Sequence, residues 1–248
     1  MDGKKLLETI ERLRLIRAKE DLKPPPCSIL NTHLPNGSEL KLRQYQIQGI
    51  LHLLAMPRFV LGYDTGLGKT LQVIASLCYL WEKRPDIPAV ICTTKSAVGQ
   101  WESEFEKFTK GINVFKCLGT KKKREKTHNQ FKESEGPKVL VMGYRTAVHD
   151  FTYLQNMTGH IMVYDEATAF KNDKSQVHQV CKHLAGGAER VWSLSATIIK
   201  NRLMEAWAIY KVTAPHLFST KTHFMREYCI TRDQTIPGSR RRIKIVVG

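Results

Sequence analysis

The sequence predicts an α/β domain, a parallel β-sheet flanked by helices on both faces. Three observations predict it. Six short, β-rich apolar runs recur at residues 59–61, 89–92, 114–118, 139–142, 161–164 and 191–194, with helical or polar stretches between them. Continuous apolar strands alternating with helices are the pattern of a parallel sheet buried on both sides. The first run leads into Gly62-Tyr63-Asp64-Thr65-Gly66-Leu67-Gly68-Lys69-Thr70 and then a segment of helical period, the strand–turn–helix order of a phosphate-binding loop. Finally, the residues with chemistry fall just after the runs, at 64–70, 93–96, Tyr144, Asp165-Glu166 and Ser195-Ala196-Thr197. In such sheets ligands sit at the carboxyl ends of the strands.

Taken in order, residues 4–20 place Leu6, Leu7, Ile10, Leu13, Leu15 and Ile16 near helical spacing, and Pro24-Pro25-Pro26 ends that helix in a stiff connector. Residues 1–38 are therefore expected to form an N-terminal helix and Pro-rich connector, and residues 39–248 the main domain. Upstream of the loop stands Leu42-Arg43-Gln44-Tyr45-Gln46-Ile47-Gln48-Gly49. A Gln amide can accept from adenine N6 and donate to N7, so Gln46 is a candidate adenine reader; the alternative is a solvated side chain. Within the loop, Gly66 and Gly68 lack a Cβ and let backbone N–H groups approach phosphate oxygens. Lys69 would reach the β/γ-phosphates and Thr70 would ligate Mg²⁺. The following helix directs its positive end at the same point. Tyr63 stands where the first glycine of G-x-x-x-x-G-K-[ST] belongs.

Beyond Thr70, Leu71, Ile74, Leu77, Cys78 and Trp81 mark one helix face, closed by Pro85 and Pro88. Lys121-Lys122-Lys123-Arg124-Glu125-Lys126 reads as an exposed loop or helix face, either solvated or touching a phosphate backbone. Asp165-Glu166 closes the fifth run about a hundred residues after the loop. A strand-terminal Asp beside bound nucleotide holds Mg²⁺, and a neighbouring Glu deprotonates the attacking water. A helix is expected near residues 173–184. His178-x-x-Cys181-x-His183 on it lacks the fourth ligand a structural zinc site needs, and reads as packing and surface. Ser239-Arg240-Arg241-Arg242 and residues 243–248 read as a basic turn and a strand.

Lys plus Arg exceed Asp plus Glu by 39 − 23 = 16, and the apolar fraction is 42%. That excess points to a polyanionic partner, nucleic acid first. No apolar run reaches the roughly 20 residues a membrane span needs. Six scattered cysteines, none in C-x-x-C, indicate a reducing, intracellular compartment.

Together these motifs resemble the first RecA-like lobe of superfamily 2 helicase-type ATPases, most closely the Swi/Snf-type DNA translocases, over most of the chain. Residues 42–46 are similar to the Q motif and residues 64–70 to motif I, implying ATP contacts from Arg43, Gln46, Asp64, Thr65, Gly66, Leu67, Gly68, Lys69 and Thr70. Thr93-Thr94-Lys95-Ser96 with Gln100-Trp101-x-x-Glu104-Phe105 resembles motif Ia, which contacts a nucleic-acid strand. Gly143-Tyr144-Arg145 occupies the motif Ib region, and Thr94, Lys95, Tyr144, Arg145 and Lys200 are the candidate nucleic-acid contacts. Asp165-Glu166-Ala167-Thr168 is similar to motif II, followed by Phe170-Lys171-Asn172 as in Swi/Snf-type proteins. Leu194-Ser195-Ala196-Thr197 is similar to motif III, implying that Ser195, Ala196 and Thr197 couple hydrolysis to movement.

The resemblance implies catalysis by Lys69, Asp165 and Glu166, Mg²⁺ held by Thr70 and Asp165, duplex DNA as track, and a second RecA-like lobe as partner. Three motifs depart from the pattern: Gln44 replaces a Pro, Thr168 the usual His or Asp, and Ser195-Ala196-Thr197 the Thr-Gly-Thr-Pro of chromatin remodellers. No candidate for the second lobe's motifs is visible, so a fragment or lone first lobe that binds ATP weakly and hydrolyses it very slowly is expected. A strand-separating helicase lobe and a binding module with a vestigial nucleotide site are the alternatives.

Overall fold

Each of the six apolar runs becomes a strand. The computed structural model describes residues 23–199, 203–218, 220–235 and 242–246. The strands are β1 (Arg58–Leu61), β2 (Ala89–Thr93), β3 (Asn113–Cys117), β4 (Lys138–Gly143), β5 (Ile161–Tyr164) and β6 (Arg190–Leu194). They form one parallel sheet in the order β1-β6-β5-β2-β4-β3.

Side chains alternate across that sheet, and the two faces are both apolar. Ala89, Ile91, Val139, Val141, Ile161 and Val163 face one side; Val90, Cys92, Leu140, Met142, Met162 and Tyr164 face the other. Period-2 alternation with both faces covered is why these runs read as unbroken hydrophobic stretches. Helices α1 (Gln44–Ala55), α2 (Lys69–Trp81) and α3 (Val98–Phe108) cover the first face through Leu53, Ile74, Leu77, Trp101 and Phe105. The second face is covered by α4 (Lys121–Glu133), α5 (Tyr144–His149), α6 (Phe151–Leu154), α7 (Gln176–Gly187) and α8 (Leu203–Thr213). The basic run at 121–126 is thus the first half of α4.

Charged groups close the end of the sheet away from the candidate site. Arg58 donates to the carbonyls of Ala185 in α7 (2.9 Å) and Thr213 in α8 (3.2 Å). Arg190 donates to the carbonyls of Leu53 and Leu54 in α1, the latter at 3.0 Å. Two guanidiniums therefore satisfy the terminal carbonyls of three helices, where the helix dipole favours a cation.

Residues 27–40 lie against the main core. Cys27, Ile29, Leu30, Leu34 and Leu40 pack on it, and Asn31 N–H donates to the Phe108 carbonyl at 2.7 Å. The helix expected at 4–20 lies outside the described residues. At the other end, α9 (Lys221–Tyr228) buries Phe224 beside Trp207 of α8. The expected terminal strand is β8 (Arg242–Val246), paired antiparallel with β7 (Thr231–Thr235), which the sequence reading did not anticipate. Of the basic turn expected at 239–242, residues 239–241 lie outside the described residues and Arg242 begins β8.

His178, Cys181 and His183 do not converge. His178 Nδ1 meets the Phe170 carbonyl at 2.9 Å, and His183 Nε2 meets the Gln155 carbonyl at 2.8 Å. A different trio, Cys117, His128 and Asp150, comes together and is buried. Both Asp150 oxygens are taken by Arg124 at 2.8 Å, and His128 Nε2 sits 3.1 Å from Oδ2. A carboxylate so occupied serves α4 as an anchor.

Candidate active site

Residues 62–68 connect β1 to α2 by a turn whose geometry depends on glycine. Gly66 and Gly68 have φ of 80° and 69°, a left-handed conformation that L side chains adopt only at a cost. A Cβ on Gly68 would also stand 2.5 Å from Gln46 Nε2. Gly66 has open space where its Cβ would be, leaving room for a ligand above the loop. Lys69 Nζ folds into the turn and donates to the carbonyls of Tyr63 (2.8 Å) and Asp64 (3.0 Å). The N-terminus of α2 receives no side-chain cap, so its first N–H groups are available to an anion.

The loop is braced from α1. Tyr63, in the place of a glycine, donates its hydroxyl to the Tyr45 carbonyl at 3.2 Å and meets the Tyr45 ring edge-on. The Leu67 carbonyl accepts from Gln72 Nε2 at 3.2 Å and from Gln46 Nε2 at 3.5 Å. Gln46 Oε1 accepts from Arg43 N–H at 2.9 Å and starts α1. Both ends of the Gln46 amide are therefore engaged within the protein, and reading an adenine edge requires it to turn.

The second element of the site follows β5. Asp165 N–H donates to the Cys92 carbonyl at 2.8 Å, extending the β5–β2 pairing. Asp165 Oδ2 accepts from Thr93 Oγ1 and Trp101 Nε1, both at 2.9 Å. Glu166 has φ 54° and ψ 57° and is the one positive-φ residue other than glycine among the described residues. Such a conformation costs on the order of 1–3 kcal/mol and persists where surrounding contacts enforce it. Here the enforcing contacts are the Asp165 bonds and the Glu166 carbonyl, which accepts from Ala169 N–H at 2.9 Å.

The two elements meet. Thr65, Gly66, Gly68, Lys69, Thr70 and Leu71 line one side of an open cleft of about 520 Å³. Asp165, Glu166, Thr94, Ser96, Ala97, Gln100 and Glu104 line the rest. An amine, a hydroxyl, a helix N-terminus and paired acids around one space are the donor set a magnesium-bound triphosphate requires. Arg43 and Gln46 stand behind the loop and not on the cleft lining. Gln100 and Glu104 line this cleft, and Trp101 meets its acid.

Ser195 is buried at the tip of β6, its N–H donating to the Leu61 carbonyl at 3.3 Å and its Oγ accepting from Thr197 N–H at 3.2 Å. With Ala196 it occupies the strand tip between the loop and Asp165. Lys171 pairs with Glu205 of α8 at 2.8 Å, tying the segment after Glu166 to α8.

Of the expected nucleic-acid contacts, Thr94 and Lys95 are exposed at the tip of β2 and Arg145 is exposed at the tip of β4. Arg145 borders an open groove with His149 and Gln176. Tyr144 is a correction. It is buried, stacked with Tyr164 and against Phe170, and its hydroxyl donates to the Asp165 carbonyl at 2.7 Å. Burial drives its pKa well above the usual phenol range. A ring enclosed there supports the acids and meets no strand. Lys200 lies outside the described residues.

Sequence reasoning missed Gln72 and the indole of Trp101. A findable signal for the latter was Gln100 and Glu104 at i and i+4 on a helix following a strand tip, with an aromatic residue between them.

Comparison with known proteins identifies the family and the fold. A family profile described as SNF2-related domain matches residues 45–245. Similar curated proteins include the ISWI chromatin-remodeling complex ATPase ISW2 of Saccharomyces cerevisiae, 31% identical over 74% of this chain and 17% of that protein. Chromodomain-helicase-DNA-binding protein 1-like of Mus musculus is 29% identical over 72% of this chain and 20% of its own length. An ATP-dependent helicase of Mycoplasma genitalium is 28% identical over 79% of this chain and 19% of its own length. The chain thus spans about a fifth of these relatives. Among solved structures, the Sulfolobus solfataricus SWI2/SNF2 ATPase core in complex with dsDNA superposes with a TM-score of 0.66 at 24% identity, covering 80% of this chain and 40% of that one. At that identity the likeness establishes the fold.

Proposed function

Because the chain belongs to the SNF2-related domain family, we propose that it is the first ATP-binding lobe of a motor that couples ATP hydrolysis to movement on double-stranded DNA. The observation carrying the reading is that Lys69 and Thr70 share one cleft with Asp165 and Glu166 at the carboxyl edge of a parallel sheet. In this reading the loop N–H groups and Lys69 bind the β- and γ-phosphates. The Thr70 hydroxyl and the Asp165 carboxylate would hold Mg²⁺, which would supply positive charge against the charge developing on the phosphates. Glu166 takes a proton from the attacking water at its carboxylate, and Gln46 turns to the adenine edge. Ser195, Ala196 and Thr197, next to both halves of the site, relay a change at the phosphates to the rest of the lobe.

Duplex DNA is assigned as the track from the net charge of +16 and from the Sulfolobus core solved with dsDNA. Thr94, Lys95, Arg145 and Lys200 are the proposed phosphate contacts; such contacts are sequence-independent and salt-sensitive. No helix among the described residues is long and apolar enough to cross a membrane, and six free cysteines suit a reducing compartment. The other wall of the cleft, with its arginine finger, is assigned to a second lobe. A finger is worth about 10³–10⁵ in rate, so this chain alone should bind ATP weakly and turn it over slowly.

The test joins nucleotide binding to ATPase assays with duplex and single-stranded DNA, on this chain and on a two-lobed protein containing it. Lys69→Ala should abolish turnover, and duplex should stimulate the two-lobed form more than single strands do. Stimulation by single strands alone would favour a strand-separating helicase. DNA-dependent activity indifferent to Lys69→Ala would refute a catalytic nucleotide site.

A further inference from the structure

The nucleotide-site reading names the acid that faces Mg²⁺ but not what keeps that acid in place. Asp165 sits at a strand tip with a side chain that can rotate. Among the described residues no lysine, arginine or histidine pairs with it. Its carboxylate is held by two neutral donors on one oxygen: Thr93 Oγ1 from the tip of β2 and Trp101 Nε1 from α3, each 2.9 Å from Oδ2. Both donors are buried. Thr93 is 0% exposed and Trp101 1%.

Those donors have a chemical consequence. An indole N–H donates and has no acceptor, so Trp101 cannot compete for a cation or carry a proton to the acid. Two neutral hydrogen bonds fix the carboxylate while leaving its charge in place, and they fill one oxygen so that the other stays open to the cleft. A lysine or arginine there would neutralise the charge that a cation needs. The helix that supplies the indole also sends Gln100 and Glu104, four residues apart, into the same cleft, while Phe105 and Phe108, on the same stripe as Trp101, pack into the core. The helix is thereby placed to set the position of the acid and to feel the cleft.

We infer that Trp101, assisted by Thr93, is a positioning residue for magnesium-dependent nucleotide binding, acting on Oδ2 of Asp165 so that Oδ1 faces the ion. This rests on the nucleotide-site reading above. Groups that orient metal-binding carboxylates are worth about 10–100-fold in metal affinity, and that sets the scale expected.

The experiment uses the full chain and a fluorescent ADP, titrated with Mg²⁺ and again with EDTA. Trp101→Phe keeps an aromatic side chain, smaller by one ring, and removes the N–H; Thr93→Val keeps the shape and removes the hydroxyl. In both variants the affinity gained on adding Mg²⁺ should shrink, by about tenfold or more in Trp101→Phe, while affinity in EDTA stays unchanged. A purely structural role would lower both affinities together, and that result would overturn the inference. So would a full magnesium gain in both variants. If Trp101→Phe fails to fold, Thr93→Val decides the matter by the same two readings. Failure of the wild-type chain to bind the nucleotide under either condition would instead overturn the nucleotide site itself. A magnesium-dependent gain in the wild type that survives in both variants would remove Trp101 and Thr93 from it and leave the site standing.

Discussion

Gly49→Ala should destabilise the protein, and Gln72→Ala should reverse that sign. Gly49 lies inside α1, where alanine ordinarily stabilises by about 1 kcal/mol. Here a Cβ would land 1.9 Å from Gln72 Oε1 and 3.0 Å from its Cδ. Gln72 cannot simply swing aside. It is fully buried, and its Nε2 holds the Leu67 carbonyl of the loop at 3.2 Å. Moving it forfeits a hydrogen bond of about 1 kcal/mol and crowds a packed space at about 1–3 kcal/mol. Set against the helix gain, the net loss is about 1–3 kcal/mol, on the order of 5 °C in Tm for a chain of this size.

In a Gln72→Ala background the obstructing atoms are gone. What remains is Tyr63 Cε2 at 3.2 Å, which a small ring shift accommodates. There Gly49→Ala should be neutral or stabilising by up to about 1 kcal/mol, for a coupling of about 1–4 kcal/mol across the pair. Denaturant melts of the four proteins measure it. Equal effects of Gly49→Ala in both backgrounds would refute the contact and, with it, the claim that Gln72 spans α1 and the phosphate loop.

Two further outcomes follow from the far end of the sheet. Arg58→Met should lower stability by about 2–3 kcal/mol, because the carbonyls of Ala185 and Thr213 lose a charged donor inside the protein; the denaturation midpoint should fall at unchanged slope. Burial pushes the His160 imidazole from 6.5 down to about 4, against a smaller opposing backbone contact at Leu184. Since the folded pKa lies below the unfolded one, the unfolded chain takes the proton first. This contribution is therefore complete above about pH 6.5 and is lost as pH falls to about 4, roughly 3 kcal/mol in all. His160→Leu should flatten the stability profile over that window, and an unchanged profile would count against it.

The strands were legible because each is a short apolar run, and both its faces must be buried whatever its neighbours. The phosphate loop was legible because glycine spacing and Lys69-Thr70 are local. Tyr144 was misjudged because an aromatic residue at a strand tip can point out to a strand of nucleic acid or in toward Asp165, and only the packing of Tyr164 and Phe170 decides it. Gln72 was invisible for a related reason. On a helix of the sequence Lys69–Trp81 it reads as the polar face, yet that face is buried beneath α1. Polar residues whose partners come from distant elements leave no periodic trace, and Trp101, which finds Asp165 across 64 positions, is the clearest case.

The strand order adds a constraint that no single motif contains. β6 lies between β1, which carries the loop, and β5, which carries Asp165. Ser195 at its tip touches the Leu61 carbonyl of β1 on one side, while Tyr164 of β5 is in register with Ser193 on the other. Any change in spacing between Lys69 and Asp165 must therefore pass through the β6 tip or distort a parallel ladder on one side of it. The ladder is stiff and buried, with Val191, Trp192 and Leu194 fully enclosed, whereas the segment after Ser195 is not in a strand and is partly exposed from Ala196 to Ile199. The compliant point is thus the tip itself. The relay role proposed for Ser195, Ala196 and Thr197 rests on where compliance is available between the two halves of the cleft, and not on any chemistry of their own.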